Sequence, residues 1–192
     1  IAASVNHTNL IFDVLWVNTG LVITTTTAQA IASPTLPARD INGTTNGEGC
    51  SIALLCTAAV GLAAVASNAT VTYTNSDGVA NRTATLTAIV GSQAPATPVA
   101  GTLIWFNLAA GDKGVRSIQA ITLNTSWVSG TISLMITRDL AQIGTTIPNV
   151  AAQKPIATPG VRLYNGTTAL HCILSSATTA TFFSGELVVQ EK

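Results

Sequence analysis

Residues 101–140, GTLIWFNLAAGDKGVRSIQAITLNTSWVSGTISLMITRDL, decide the fold class. Three apolar-rich runs, Leu103–Leu108, Val115–Leu123 and Thr131–Thr137, are separated by GDKG and by TSWVSG. In the second run Val115 and Ile118 point one way while Arg116 and Gln119 point the other. Ala120 is a slip, after which alternation resumes through Ile121, Thr122 and Leu123. Period-two patterning bounded by Gly and Asp marks strands joined by turns. The three runs are therefore expected to form an antiparallel meander at the centre of a β-rich domain.

The flanking sequence repeats the pattern. Asp77-Gly78 separates ATVTY (69–73) from RTATLTAIV (82–90), a strong hairpin signal. One face of that hairpin should be Thr hydroxyls, the other Val, Tyr, Leu and Ala. Leu10–Val17 and Leu21–Ile31 read as strands, and Ser51–Thr57 as a buried strand, with a short helix across Ala58–Ala66 left open. CSIALLCTAAVGLAAVA (50–66) is too short and too lightly flanked by Lys or Arg to be a membrane span. Gln93–Val99 is a Pro-bearing linker, and Val161–Tyr164, Ala169–Leu174 and Phe182–Val189 resume strand patterning. About ten strands and no long helix predict an all-β antiparallel sandwich or jelly-roll-like barrel with extended arms or loops. Residues 1–192 read as one β-rich domain with an N-terminal arm over 1–9 and an extended connection over 141–160.

Composition narrows the partners. Charged residues are 8% of the chain, against about 25% in an ordinary domain, and the net charge is zero. Such a chain lacks the basic footprint of a nucleic-acid binder. It also lacks the self-repulsion that keeps copies apart, so assembly is expected. The 47% hydrophobic content excludes disorder.

Little in the sequence suggests chemistry. His7 and His171 stand far apart, with no ligand at metal spacing, and no nucleophile elbow or phosphate loop occurs. His171 and Cys172 are adjacent on a strand and so face opposite ways, a poor nucleophilic pair. Cys50, Cys56 and Cys172 are an odd set, read as free thiols packed as small hydrophobes. No cofactor and no metal are expected. Six Asn-x-Ser/Thr triplets, at Asn6, Asn42, Asn68, Asn81, Asn124 and Asn165, read either as glycan acceptors or as chance products of a Thr- and Asn-rich chain.

The loop RDINGTTNGEG (39–49) supplies Arg39, Asp40 and Glu48, which are candidate interface residues. It is read either as a solvated loop or as one ordered by a neighbouring subunit. Trp16, Trp105 and Trp127 complete the candidate interface, either as core residues or as a stacking platform for sugars.

Three phrases carry a family likeness. VTYTNSDGVANRTATL (71–86), GDKGVRSIQAITLNTSWVSGTISLMITR (111–138) and RLYNGTTALHCILSSATTATFFSGELVVQ (162–190) resemble small structural proteins of tailed-bacteriophage virions. The nearest resemblance is to head decoration, or cement, proteins. It implies a small, β-rich, non-enzymatic homo-oligomer, often a trimer, made in the host cytoplasm and carried on the particle surface. Its partners would be the major capsid protein or other virion subunits, with neither nucleic acid nor membrane involved. A tail, neck or fibre-like component, or a carbohydrate-binding β-sandwich module, is the alternative.

Overall fold

The computed structural model describes residues 2–3, 7–61, 69–86, 98–145, 162–175 and 183–184. The protein is all-β, and no helix occurs among these residues. In chain order the strands are β1 (Ala2–Ala3), β2 (His7–Asn18), β3 (Gln29–Ala30), β4 (Cys50–Ala58), β5 (Ala69–Asn75) and β6 (Arg82–Leu86). They continue as β7 (Leu103–Asn107), β8 (Val115–Leu123), β9 (Thr131–Thr145), β10 (Ala169–Ser175) and β11 (Phe183–Ser184).

Nine of these strands form one antiparallel sheet in the order β10-β2-β9-β4-β7-β6-β5-β8-β3, while β1 pairs with β11. The long sheet doubles over at β7, which pairs with β4 through Leu103–Trp105 and with β6 through Phe106–Asn107. A bridge between Glu48 and Gly114 then joins the start of β4 to the start of β8. The result is sandwich-like, with the main core between two layers of a single sheet.

Alternation explains that core. On β5 the residues Ala69, Val71 and Tyr73 are buried while Thr70, Thr72 and Thr74 are partly exposed. Its partner β6 buries Ala84 and Leu86 and exposes Thr83 and Thr85, so the expected hairpin with one hydroxyl face is present. Along β8, two bulges against β5 leave Arg116 and Gln119 as extra residues. The slip read at Ala120 is thus displaced, since Ala120 pairs in register with Thr72, and the two bulges keep Val115, Ile118, Ile121 and Leu123 all facing inward. A second cluster, Phe12, Ala53, Leu103 and Met135, occupies the opposite face of β4.

Five expectations need correcting, the shortest being the strand at Val161–Tyr164, whose described residues 162–164 are loop and not strand. The runs in 101–140 are strands, but they are not a meander. The neighbours of β7 are β4 and β6, those of β8 are β5 and β3, and those of β9 are β2 and β4. Each connection crosses between layers because its centre is bound elsewhere: Asp112 is held by β5 and β6, and Trp127 is wholly buried in the core.

Leu21–Ile31 holds only the two-residue β3. Its Thr run is a loop closed by the Gln29 side chain, which accepts from Val22 N at 2.8 Å and donates to Val22 O at 3.0 Å. A side-chain amide thus completes the bonding a strand neighbour would otherwise provide.

The N-terminal arm over 1–9 is not free. Ala2–Ala3 pairs with β11, and His7–Asn9 is hydrogen-bonded between β9 and β10. Likewise Ala141–Thr145, assigned to the extended connection 141–160, prolongs β9 against β2. Residues 146–160 of that connection lie outside the described residues, as does most of the Gln93–Val99 linker and of the proposed Ala58–Ala66 helix. Ala58 itself ends a strand.

Candidate functional site

Most of the buried charged side chains gather in three clusters, level with the starts of β4 and β8. The first organises the 39–49 loop. Asp40 is 0% exposed, and its carboxylate collects five donors. Oδ1 accepts from Asn42 N and Thr44 N at 3.0 and 2.7 Å. Oδ2 accepts from Thr44 Oγ1, Gly47 N and Glu48 N at 2.5, 3.1 and 3.3 Å. Burial by itself would raise the carboxyl pKa, but the bonds from Thr44, Asn42 and Glu48 together hold it below the ordinary value. Gly47 and Gly114 complete the loop: a Cβ on Gly47 would lie 1.8 Å from Val115 O, and one on Gly114 would lie 2.1 Å from Gly47 O. Only glycines permit that backbone approach, and the Glu48–Gly114 bridge depends on it.

The second cluster is a buried ion group. Asp13 on β2 lies 3.2 Å from Arg39 Nε and 3.8 Å from Arg138 Nη2. Neither contact is aligned as a hydrogen bond, so the attraction is coulombic. Asp13 Oδ1 also accepts from Thr168 N at 2.9 Å. Arg39 donates to Val14 O, and Arg138 to Arg162 O. The Tyr164 ring lies between Arg138 and Arg162, at 5.2 and 5.0 Å from their guanidinium carbons. One carboxylate and three guanidinium groups thus bind the 162–168 segment and the 39–49 loop to β2 and β9.

The third cluster was not anticipated. Asp112 accepts from Tyr73 Oη, from Asn75 Nδ2 at 2.9 Å and from Arg82 Nε at 2.9 Å. The Arg82 bond, supported by Tyr73 and Asn75, outweighs burial and holds the Asp112 carboxyl at about 2. Burial first and Asp112 second push the Tyr73 phenol up. The only sequence signal was that Tyr73, Asn75 and Arg82 bracket one hairpin. Nothing linked them to a carboxylate thirty residues further on.

Of the candidate interface residues, Arg39 and Asp40 are buried by their own chain and serve the first two clusters. Glu48 is half-buried and accepts from Asn42 Nδ2 at 2.7 Å. The 39–49 loop is therefore ordered by Asp40 and needs no neighbouring subunit. Trp127 is 0% exposed and cannot face a partner. Trp16 packs on the main core, while Trp105 packs on the second cluster, edge-on to Phe12 at 6.2 Å. The three Trp residues form no common platform.

The cysteines are free. Burial pushes Cys50 up to about 12 and Cys56 up to about 11, so both are unreactive thiols. Cys172 lies against the second cluster, while His171 on the other side of β10 meets Asn9 Oδ1 at 2.9 Å. Among the described residues no group of three or more His, Cys, Asp or Glu side chains could hold a metal ion. No protein-family model, curated protein or solved structure matches the chain.

Proposed function

We propose that this chain is a non-enzymatic structural subunit of a tailed-phage virion, a decoration protein that stabilises the head. The observation that carries the reading is how the charges are used. Asp13, Asp40 and Asp112 are each engaged by donors or cations of the same chain, and each holds loops onto the sheet. The hairpin surface beyond them is neutral and hydroxyl-rich, with Thr70, Thr72, Thr74, Thr83 and Thr85 on one face. A neutral surface on a rigid β scaffold suits permanent packing among like and unlike subunits. The phrases at 71–86, 111–138 and 162–190 supply the likeness to virion proteins. Its partners in this reading are the major capsid protein and further copies of itself.

The test is cryo-electron microscopy of purified particles, with mass spectrometry of their proteins. Density for this chain on the head surface at a copy number fixed by the shell is the expected result. Its absence from particles overturns the reading, and density confined to the tail or neck moves it there.

A further inference from the structure

Three asparagines in this chain are followed by glycine: Asn42-Gly43, Asn46-Gly47 and Asn165-Gly166. Such a pair is prone to lose its side-chain amide, because a glycine without a Cβ leaves its nitrogen open to the preceding side chain. The reaction needs a glycine N–H released from hydrogen bonding and an asparagine side chain free to swing onto it.

The fold withholds both at the first two pairs. Gly43 N donates to Asp40 O at 3.1 Å, and Gly47 N donates to Asp40 Oδ2 at 3.1 Å. Asn42 Nδ2 donates to Glu48 Oε2 at 2.7 Å, while Asn46 Oδ1 accepts from Arg116 Nη2. Asp77-Gly78 could close the same ring, but there Gly78 N donates to Asn75 O at 3.0 Å.

Asn165 differs in each respect. It is exposed, in a turn closed by Thr167 N to Tyr164 O and by Tyr164 N to Thr167 Oγ1, both at 3.1 Å. Among the described residues neither its side chain nor Gly166 N forms a hydrogen bond. Arg39 lies against Gly166, where a Cβ would stand 3.3 Å from Arg39 Nη1. A guanidinium so placed favours the anionic form of a neighbouring group, here the deprotonated Gly166 nitrogen that attacks.

We propose that Asn165 is a site of spontaneous deamidation, selected from the three pairs by the fold. Gly166 N attacks Asn165 Cγ and a new C–N bond forms. The bond from Cγ to the side-chain nitrogen breaks, and that nitrogen leaves as ammonia with the proton lost from Gly166. Water then opens the cyclic imide at either carbonyl, giving an aspartyl or an isoaspartyl residue. Either product adds one negative charge to a chain of zero net charge. The charge falls on the 162–168 segment, which Asp13 and three guanidinium groups bind to the sheet.

Timed incubation of the folded chain at mildly alkaline pH, followed by peptide mass spectrometry and anion exchange, tests it. Conversion at Asn165 is expected at least about tenfold faster than at Asn42 or Asn46, which react only once their loop opens. Unfolding in urea should bring the three rates together, because the protection resides in the fold. Asn165→Gln, whose longer side chain closes the ring poorly, should remove the acidic species that accumulates on anion exchange. An intact Asn165, or equal rates at the three sites in the folded chain, overturns the proposal. So does a lead for Asn165 that survives undiminished in urea, since local sequence would then explain it.

Discussion

Asp40 shows what a single carboxylate can do in a chain with so few. It gathers the backbone of its own loop, so the loop is built inward from one charge. Replacing it by Asn leaves some donors facing an amide nitrogen, and hydrogen bonds to charged groups contribute about 1.5–3 kcal/mol each. Asp40→Asn is expected to lower stability by about 2–3 kcal/mol in urea unfolding, whereas Glu48→Gln at the half-exposed rim should cost under about 0.5 kcal/mol. The pH dependence has a definite sign. Asp40 and Asp112 both have folded pKa values below the unfolded one, so their contribution is complete above about pH 4. It is lost as pH falls through the folded values, towards about 2 for Asp112. The urea midpoint should fall across that window, and less steeply in Asp112→Asn. Asp13 is a different case, because removing it strands buried cations. Asp13→Ala is expected to cost about 3–5 kcal/mol in the same assay.

Among the elements, β2 matters most for how the N-terminus should be understood. His7–Asn9 contributes ladder bonds to both neighbours, and Asn9 is buried. Deleting residues 1–9 should therefore lower the thermal midpoint of the whole fold, as followed by circular dichroism. An unchanged midpoint would show that the segment behaves as a detachable arm. The hairpin β5–β6 was legible from sequence because its register is local: Asp77-Gly78 sets the turn, and Thr alternation sets the faces. The runs of 101–140 were equally legible as strands. Their partners were not, because period-two alternation reports which way a side chain points and not which strand lies beside it. The Thr run at 24–27 reads as β-branched strand and folds as a loop, since the Gln29 bonds that close it leave no periodic trace.

For the whole molecule, the scarcity of charge governs how an assembly should respond to solvent. With 8% of residues charged, contacts between subunits should be mainly non-ionic, and ionic strength should barely touch them. Raising salt from 0.1 to about 1 M shortens the Debye length from about 10 to about 3 Å and weakens exposed charge pairs. Oligomers in sedimentation, and the chain on washed particles, should both persist through that series. Release at high salt would instead point to docking through charged side chains.

The amino-acid sequence alone determined that this chain is all-β, that one hairpin face is hydroxyl-bearing, that its cysteines pack as small hydrophobes and that it is almost without charge. Each of these is a matter of residue type or of spacing two residues apart, where the backbone geometry of a strand does the deciding. Only the tertiary structure decided that Asp112 belongs with Tyr73 and Arg82, that Asp13 belongs with Arg39 and Arg138, and that Trp127 is core. These pairings join positions far apart in the chain: β2 and β9 are paired so that Asp13 lies opposite Arg138, and the loop after β7 brings Asp112 to the β5–β6 hairpin.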